Sequence, residues 1–372
     1  MRADFKPFSP ASGPDFTIHP GEVVQELMEY AGLTQVDLAE RTGRPKKTIN
    51  EIIQGKAAIT PETALQLERV LGVSADHILG LEQAHRSFLA RKSARAVLAD
   101  EIGWLKEIPL GEMIKRGWVK KLQDKVDQLE EVLRYFGVAS PKAWAQVWAG
   151  VQGSIAYRRS TKFDTDFAAV ATWLRQGEIL ASDIPAAPYD ARAFRAALAQ
   201  IRALTSAWPF QEELVRLCAE AGVVVLFVPE IKGLHVSGAT RWLSPEKALI
   251  QLTLRGRAED LIWFSFFHEA AHILLHGKRT VFVEPKDTKD RPEAQEEREA
   301  NDFAGDFLIP PDAYRKFRSE NVFSAPAVQI FAREIGVSPG IVVGRLQHDG
   351  VVGWNDPLGR LKRRFSWTES DD

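Results

Sequence analysis

Residues 266–272 read Phe-Phe-His-Glu-Ala-Ala-His, with two histidines, His268 and His272, four positions apart. That spacing places both rings on one face of a helix, where they can share one metal ion. Glu269, beside the first histidine, is then placed to take a proton from water. The run just upstream, Leu261-Ile262-Trp263-Phe264, is apolar. The helix is therefore expected to be buried, with a water-excluding site on it. A catalytic zinc site of this kind needs a third protein ligand and one open position.

The third ligand is sought on the next helical pattern, 294–308. Its apolar residues Ala300, Phe303, Ala304, Phe307 and Leu308 form an i, i+3, i+4, i+7, i+8 stripe. Glu296 and Glu299 both flank that stripe, and helical spacing alone leaves both open. Strand patterns precede the His-containing helix at 223–228, 236–240 and 248–253. They offer an edge on which an extended peptide can pair.

The 372-residue chain is long enough for two or three domains. Its formal charge of −2 carries no overall nucleic-acid signature, so any basic patch must be local. The single cysteine, Cys218, excludes an internal disulfide and is expected to be a buried, inert thiol. No apolar run reaches the roughly 18 residues that span a bilayer, and the N-terminus lacks a signal core. The expectation is a cytoplasmic protein without membrane contact.

Residues 1–19 read as a flexible arm. Five short helical patterns follow within residues 20–84. The second opens at Thr34 and the third, about 45–54, follows Gly43, which is the plan of a helix-turn-helix. In that geometry the start of the third helix meets base edges in the major groove, which nominates Lys46, Lys47, Thr48 and Asn50. Gln35, Arg44, Gln54 and Lys56 are candidates for phosphate contacts. Residues 1–84 hold 8 Lys/Arg against 12 Asp/Glu, so the basic cluster at Arg41, Arg44, Lys46 and Lys47 must carry any DNA affinity. The motifs His19-Pro20-Gly21, Leu33-Thr34-Gln35, Leu38-Ala39, Thr48-Ile49-Asn50-Glu51-Ile52 and Gly55-Lys56 resemble the cro/repressor class of helix-turn-helix domains, in particular its antitoxin-like subgroup. Such domains imply double-stranded operator DNA as a partner and a homodimer.

Residues 85–205, rich in Trp, read as a helical connecting region. Residues 206–350 hold the His-containing domain, and 351–372 read as a strand pair and tail. The pattern of residues 326–349 suggests a further helix pair that supports the core. The fold class is α+β, mainly α: a five-helix N-terminal domain, a helical middle and a C-terminal zincin-like domain with a small sheet.

His268-Glu269-Ala-Ala-His272, Glu297-Arg-Glu299-Ala300-Asn301-x-Phe303-Ala304 and Leu308-Ile309-Pro310 together resemble the ImmA/IrrE family of metallopeptidases over about 205–350. The family's usual helix reads His-Glu-Leu-Gly-His, where this chain has Ala270-Ala271. The resemblance implies a Zn2+ cofactor on His268, His272 and Glu299, with Glu269 as the catalytic base. Oxyanion candidates are His235 and Tyr157, and His276 is read as a helix-end residue. The implied function is a transcriptional regulator fused to a zinc endopeptidase. It would act in a stress, phage-related or toxin–antitoxin response by cleaving a helix-turn-helix repressor, another protein, or itself. The rival is a repressor or antitoxin whose metal domain senses a signal or stabilises the fold without proteolysis.

Overall fold

A computed structural model describes residues 17–158, 167–277, 282–285 and 295–367. The expected N-terminal arm, up to residue 16, lies outside them. The chain divides into two compact units, 1–102 and 103–372.

In the first unit, α1 (Pro20–Tyr30) begins with Pro20 at its first position, and His19 Nδ1 accepts the Gly21 N–H at 2.9 Å. Helix α2 (Gln35–Thr42) opens on a reciprocal cap. The Asp37 N–H donates to Thr34 Oγ1 at 3.2 Å, and the Thr34 N–H donates to Asp37 Oδ2 at 2.9 Å. Gly43 ends α2 at φ +67°, a left-handed conformation that favours glycine. Helix α3 (Lys46–Ile53), α4 (Pro61–Leu71) and α5 (Ala75–Asp100) follow. Val24, Met28, Leu38, Ile49, Ile52, Leu67 and Ile78 form their shared core. The expected boundary at 84/85 is not seen, because α5 continues to Asp100.

The second unit starts with a 3-10 turn (Ile102–Lys106), whose first residue closes the first unit, then α6 (Leu110–Lys115), α7 (Lys125–Phe136), α8 (Pro141–Arg158) and α9 (Phe167–Ser182). Helices α10 (Ala191–Leu204) and α11 (Gln211–Glu220) lead into β1 (Val223–Phe227), β2 (Val236–Ser244) and β3 (Lys247–Leu252). Next come α12 (Glu259–Leu275), β4 (Phe282–Pro285), α13 (Gln295–Leu308), α14 (Pro311–Glu320), α15 (Ala325–Ile335) and α16 (Pro339–His348). The sheet order is β1-β3-β2-β4, with β1 and β3 parallel and the other pairs antiparallel.

The middle region is not a separate connector. Val223, Val225, Ala248, Ile250 and Leu252 join the core that includes Trp263, Phe266 and Phe267 of α12. Val224 and Leu249 point the other way, against Ala181 of α9. A sheet buried on both faces needs two covers, and the middle helices supply the second. Gln251 Nε2 donates to the Trp173 carbonyl at 2.7 Å, and Trp173 Nε1 donates to the Val228 carbonyl at 3.1 Å. Tryptophans of this Trp-rich region pack together: Trp104 and Trp144 meet edge to face at 5.4 Å, and both adjoin Phe136.

The expected C-terminal strand pair is absent among the described residues. Gln347 Nε2 reaches the carbonyls of Gly353 and Trp354 at 3.3 and 3.5 Å, so a side chain does the work of a ladder there. A 3-10 turn (Pro357–Leu361) follows, and Arg364 makes a single antiparallel bridge to Ala258. That return tethers the start of α12. Buried Glu259 accepts from Arg363 Nε at 2.6 Å and from Ser338 Oγ at 2.7 Å, and Lys362 Nζ lies 2.7 Å from Asp260 Oδ2. Helix α16 packs on α12, in the supporting role read from its apolar sequence, with Gly344 against Asp260. Among the described residues, no single helix is long and apolar enough to cross a membrane.

Candidate metal centre and nucleic-acid interface

Helix α12 buries His268, Glu269 and His272, each at most 1% exposed. The Nε2 atoms of the two histidines face each other at 3.0 Å. From α13, Glu297 places Oε2 at 3.3 Å from His268 Nε2 and Oε1 at 3.6 Å from His272 Nε2. Ligand atoms of His268, His272 and Glu297 all lie within 4.8 Å of one another. Around a tetrahedral zinc with bonds near 2.0–2.1 Å, ligand atoms sit about 3.3 Å apart. The observed separations bracket that value, and two imidazoles with one carboxylate are a donor set that suits the ion.

Glu299, the ligand implied by family resemblance, is not at this point. On α13, Glu297 shares a face with Ala300, Asn301 and Ala304, and this face is turned to α12. Glu299 is two residues further on, about 200° around the helix. Its side chain is 45% exposed against 12% for Glu297, and it meets His276 at 3.2 Å. Hydrogen bonds from Gln295 and His276 hold its carboxyl below the usual range. Glu296 is exposed as well.

Partners around the triad were not assigned from sequence. Asn301 Oδ1 lies 2.9 Å from His268 Nδ1, and His276 Nδ1 lies 2.8 Å from His272 Nδ1. Thr240 of β2 donates its hydroxyl to Glu269 Oε2 at 2.6 Å. Two residues earlier, Gly238 leaves room for the same side chain, since a Cβ there would sit 2.9 Å from Glu269 Cγ. The i, i+2 alternation of a strand puts both positions on one face, which is the one signal that sequence offered for them. His235 is committed to Arg255 Nη1 at 3.0 Å; burial and that guanidinium lower its pKa. Tyr157 lies outside the residues whose side chains are described. Burial pushes the Cys218 thiol up, in keeping with an inert core residue. The edge of β2 is already paired, through Val236, Ala239 and Thr240, with β4.

In the first unit, Lys46, Lys47 and Lys56 are exposed, and Gln35, Thr48 and Asn50 are half-buried. All but Lys56 stand on α2 or α3; Lys56 lies just beyond α3. Lys47 lies 3.8 Å from Glu51, an exposed contact of little energetic weight. Asn50 Oδ1 accepts from Gln54 at 3.1 Å. Arg44 differs from the others, because its Nε donates to Gln66 of α4 at 2.7 Å.

Residues 24–78 match a family model described as helix-turn-helix, and residues 249–347 match one described as IrrE N-terminal-like domain. The chain is 32% identical over 81 residues to virulence-associated protein I of Dichelobacter nodosus, covering 22% of this chain and 75% of that protein. It is 32% identical over 65 residues to the uncharacterized HTH-type transcriptional regulator YddM of Escherichia coli (strain K12), covering 18% of this chain and 69% of that protein. The chain belongs to the helix-turn-helix family. The second unit of this helix-turn-helix protein contains the IrrE N-terminal-like domain, and all three triad residues fall inside the matched segment. Among solved structures, the protein is similar to an addiction module antidote protein of a HigA family from Coxiella burnetii, at 29% identity over 23% of this chain and 92% of that one, with a TM-score of 0.21.

Proposed function

We propose that this protein is a DNA-binding transcriptional regulator whose second unit is a zinc-dependent endopeptidase. Its substrate would be a repressor of the helix-turn-helix kind, another protein, or the chain itself. The observation that carries this reading is the convergence of His268, His272 and Glu297 beside the buried carboxylate of Glu269. The family resemblance of the two segments supports it.

A bound zinc ion supplies Lewis acidity and makes water a nucleophile near neutral pH. His268, His272 and Glu297 would hold it. Glu269 would accept the proton from water and return it to the leaving amine. Thr240 keeps one carboxylate oxygen of Glu269 fixed, which orients the base. The buried aromatic face of α12, with Trp263, Phe266 and Phe267, keeps bulk water from that side. In the first unit, Lys46, Lys47, Thr48 and Asn50 would face operator bases, with Gln35, Arg44 and Lys56 on phosphates.

The test combines metal analysis with a cleavage assay. Wild type and Glu269→Gln are each incubated with the purified protein and with the products of neighbouring genes. One zinc per chain and cleavage by wild type alone support the proposal. One zinc per chain with cleavage by neither, and operator binding intact, favours a non-proteolytic repressor with a sensing or structural metal domain.

A further inference from the structure

We propose that His276 and Glu299 are positioning residues for His272, forming a Glu299–His276–His272 relay that fixes how the His272 ring is presented to the metal site. The inference rests on reading His268, His272 and Glu297 as a metal site. It gives Glu299 a role in setting the affinity of that site from outside it.

The contacts run in a chain from the Glu299 carboxylate to the His272 ring. A carboxylate can only accept, so His276 Nε2, 3.2 Å from Glu299 Oε2, carries a hydrogen. Its other ring nitrogen, Nδ1, is 2.8 Å from His272 Nδ1. A His272 that donates from Nδ1 to that nitrogen turns its Nε2 toward His268 Nε2 and Glu297. On the other side, the Asn301 carbonyl oxygen accepts from His268 Nδ1 and turns His268 Nε2 toward the same point. Two ring nitrogens and a carboxylate then converge on one point, a donor set that suits zinc.

The two histidines are not supported equally. His268 is backed by a neutral amide, His272 by an imidazole that is itself backed by a carboxylate. The second arrangement ties His272 into an outer network that orients its ring. Construction around the relay is local. Helix α12 ends at Leu275, and the extended backbone of His276 turns its ring back, leaving the side chain 4% exposed. Gln295, one turn before Glu299 on α13, donates to the other carboxylate oxygen at 2.8 Å and holds the group in place.

The experiment measures Zn2+ affinity of the full chain by chelator competition, with Co2+ absorption spectra alongside, for wild type, Glu297→Ala, His276→Ala, Glu299→Gln and the double variant His276→Ala/Glu299→Gln. Zinc affinity should fall about 10–100-fold in His276→Ala, and less in Glu299→Gln, with stoichiometry unchanged and the Co2+ bands shifted. The double variant should be no weaker than His276→Ala, because Glu299 acts through His276. Glu299 is on the surface, so its variant also guards against misfolding. Wild-type affinity in both single variants, or losses that add in the double variant, overturns the relay while the Glu297→Ala loss leaves the metal site standing. A wild type that takes up no zinc overturns the site and the relay together.

Discussion

Glu297 Oε2 lies 3.3 Å from His268 Nε2, while Glu299, two residues along the same helix, meets His276 and Gln295 instead. The two carboxylates therefore differ in what their removal should do. His268→Ala, His272→Ala and Glu297→Ala should each abolish stoichiometric zinc, measured by elemental analysis after dialysis. Glu299→Ala should still bind one zinc per chain. Loss of zinc in Glu299→Ala equal to that in Glu297→Ala would reverse the assignment.

Thr240→Val removes a donor from a buried carboxylate and keeps the side chain's shape. The cost should be about 1.5–3 kcal/mol, read from the denaturant midpoint of the second unit. Zinc stoichiometry should be unchanged, because Thr240 contacts the base and no ligand. Any peptidase turnover should fall by more than zinc affinity does.

Glu259 is fully buried, and Arg363 is its charged partner. Arg363→Ala should cost about 3–5 kcal/mol, since it leaves a buried charge uncompensated. Chemical denaturation followed by tryptophan fluorescence reads this directly. A loss under about 1 kcal/mol would show that Ser338 and the backbone N–H of residue 363 suffice for Glu259.

Lys46 and Lys47 are exposed at the start of α3. Changing both to Ala should weaken binding to duplexes selected from a random pool. The slope of log affinity against log salt should also shrink by about one for each phosphate that the variant no longer neutralises. Unchanged affinity and slope would remove α3 from the interface.

Asp37 is a pH probe of the capping box. The Thr34 hydroxyl and the Thr34 backbone N–H hold its carboxyl below the usual range. A depressed folded-state pKa contributes stability that is present above the unfolded value, about pH 4, and lost as pH falls through the lower folded one. Hydrogen-exchange protection of α2 should be greater in wild type than in Asp37→Asn above about pH 5. The two should converge below about pH 4, once intrinsic exchange is corrected for. A difference that persists unchanged at about pH 2.5 would assign the effect to packing.

Local rules carried much of the architecture. Thr34 with Asp37, Gly43, Pro61 after Thr60, and Ser74 are start and stop signals that act within a few residues, so the helix-turn-helix was legible from them. The two histidines were legible for the same reason, since four residues on one helix bring them together whatever surrounds it. Both-face burial of β1 and β3 was also latent in their continuous apolar runs, Val-Val-Val-Leu-Phe and Ala-Leu-Ile, but nothing local said which segment would cover the second face.

What the sequence determined by itself was therefore whatever depends on neighbours in the chain: the caps, the helix periods, the His268/Glu269/His272 cluster and the apolar setting of α12. Only the tertiary structure decided which glutamate completes that cluster, that Thr240, Asn301 and His276 support it, and that the middle helices belong to the second unit. Each of those depends on the rotation and docking of one element against another. A turn of α13 by one residue, about 100°, would change which carboxylate faces the histidines, and no local propensity sets that angle.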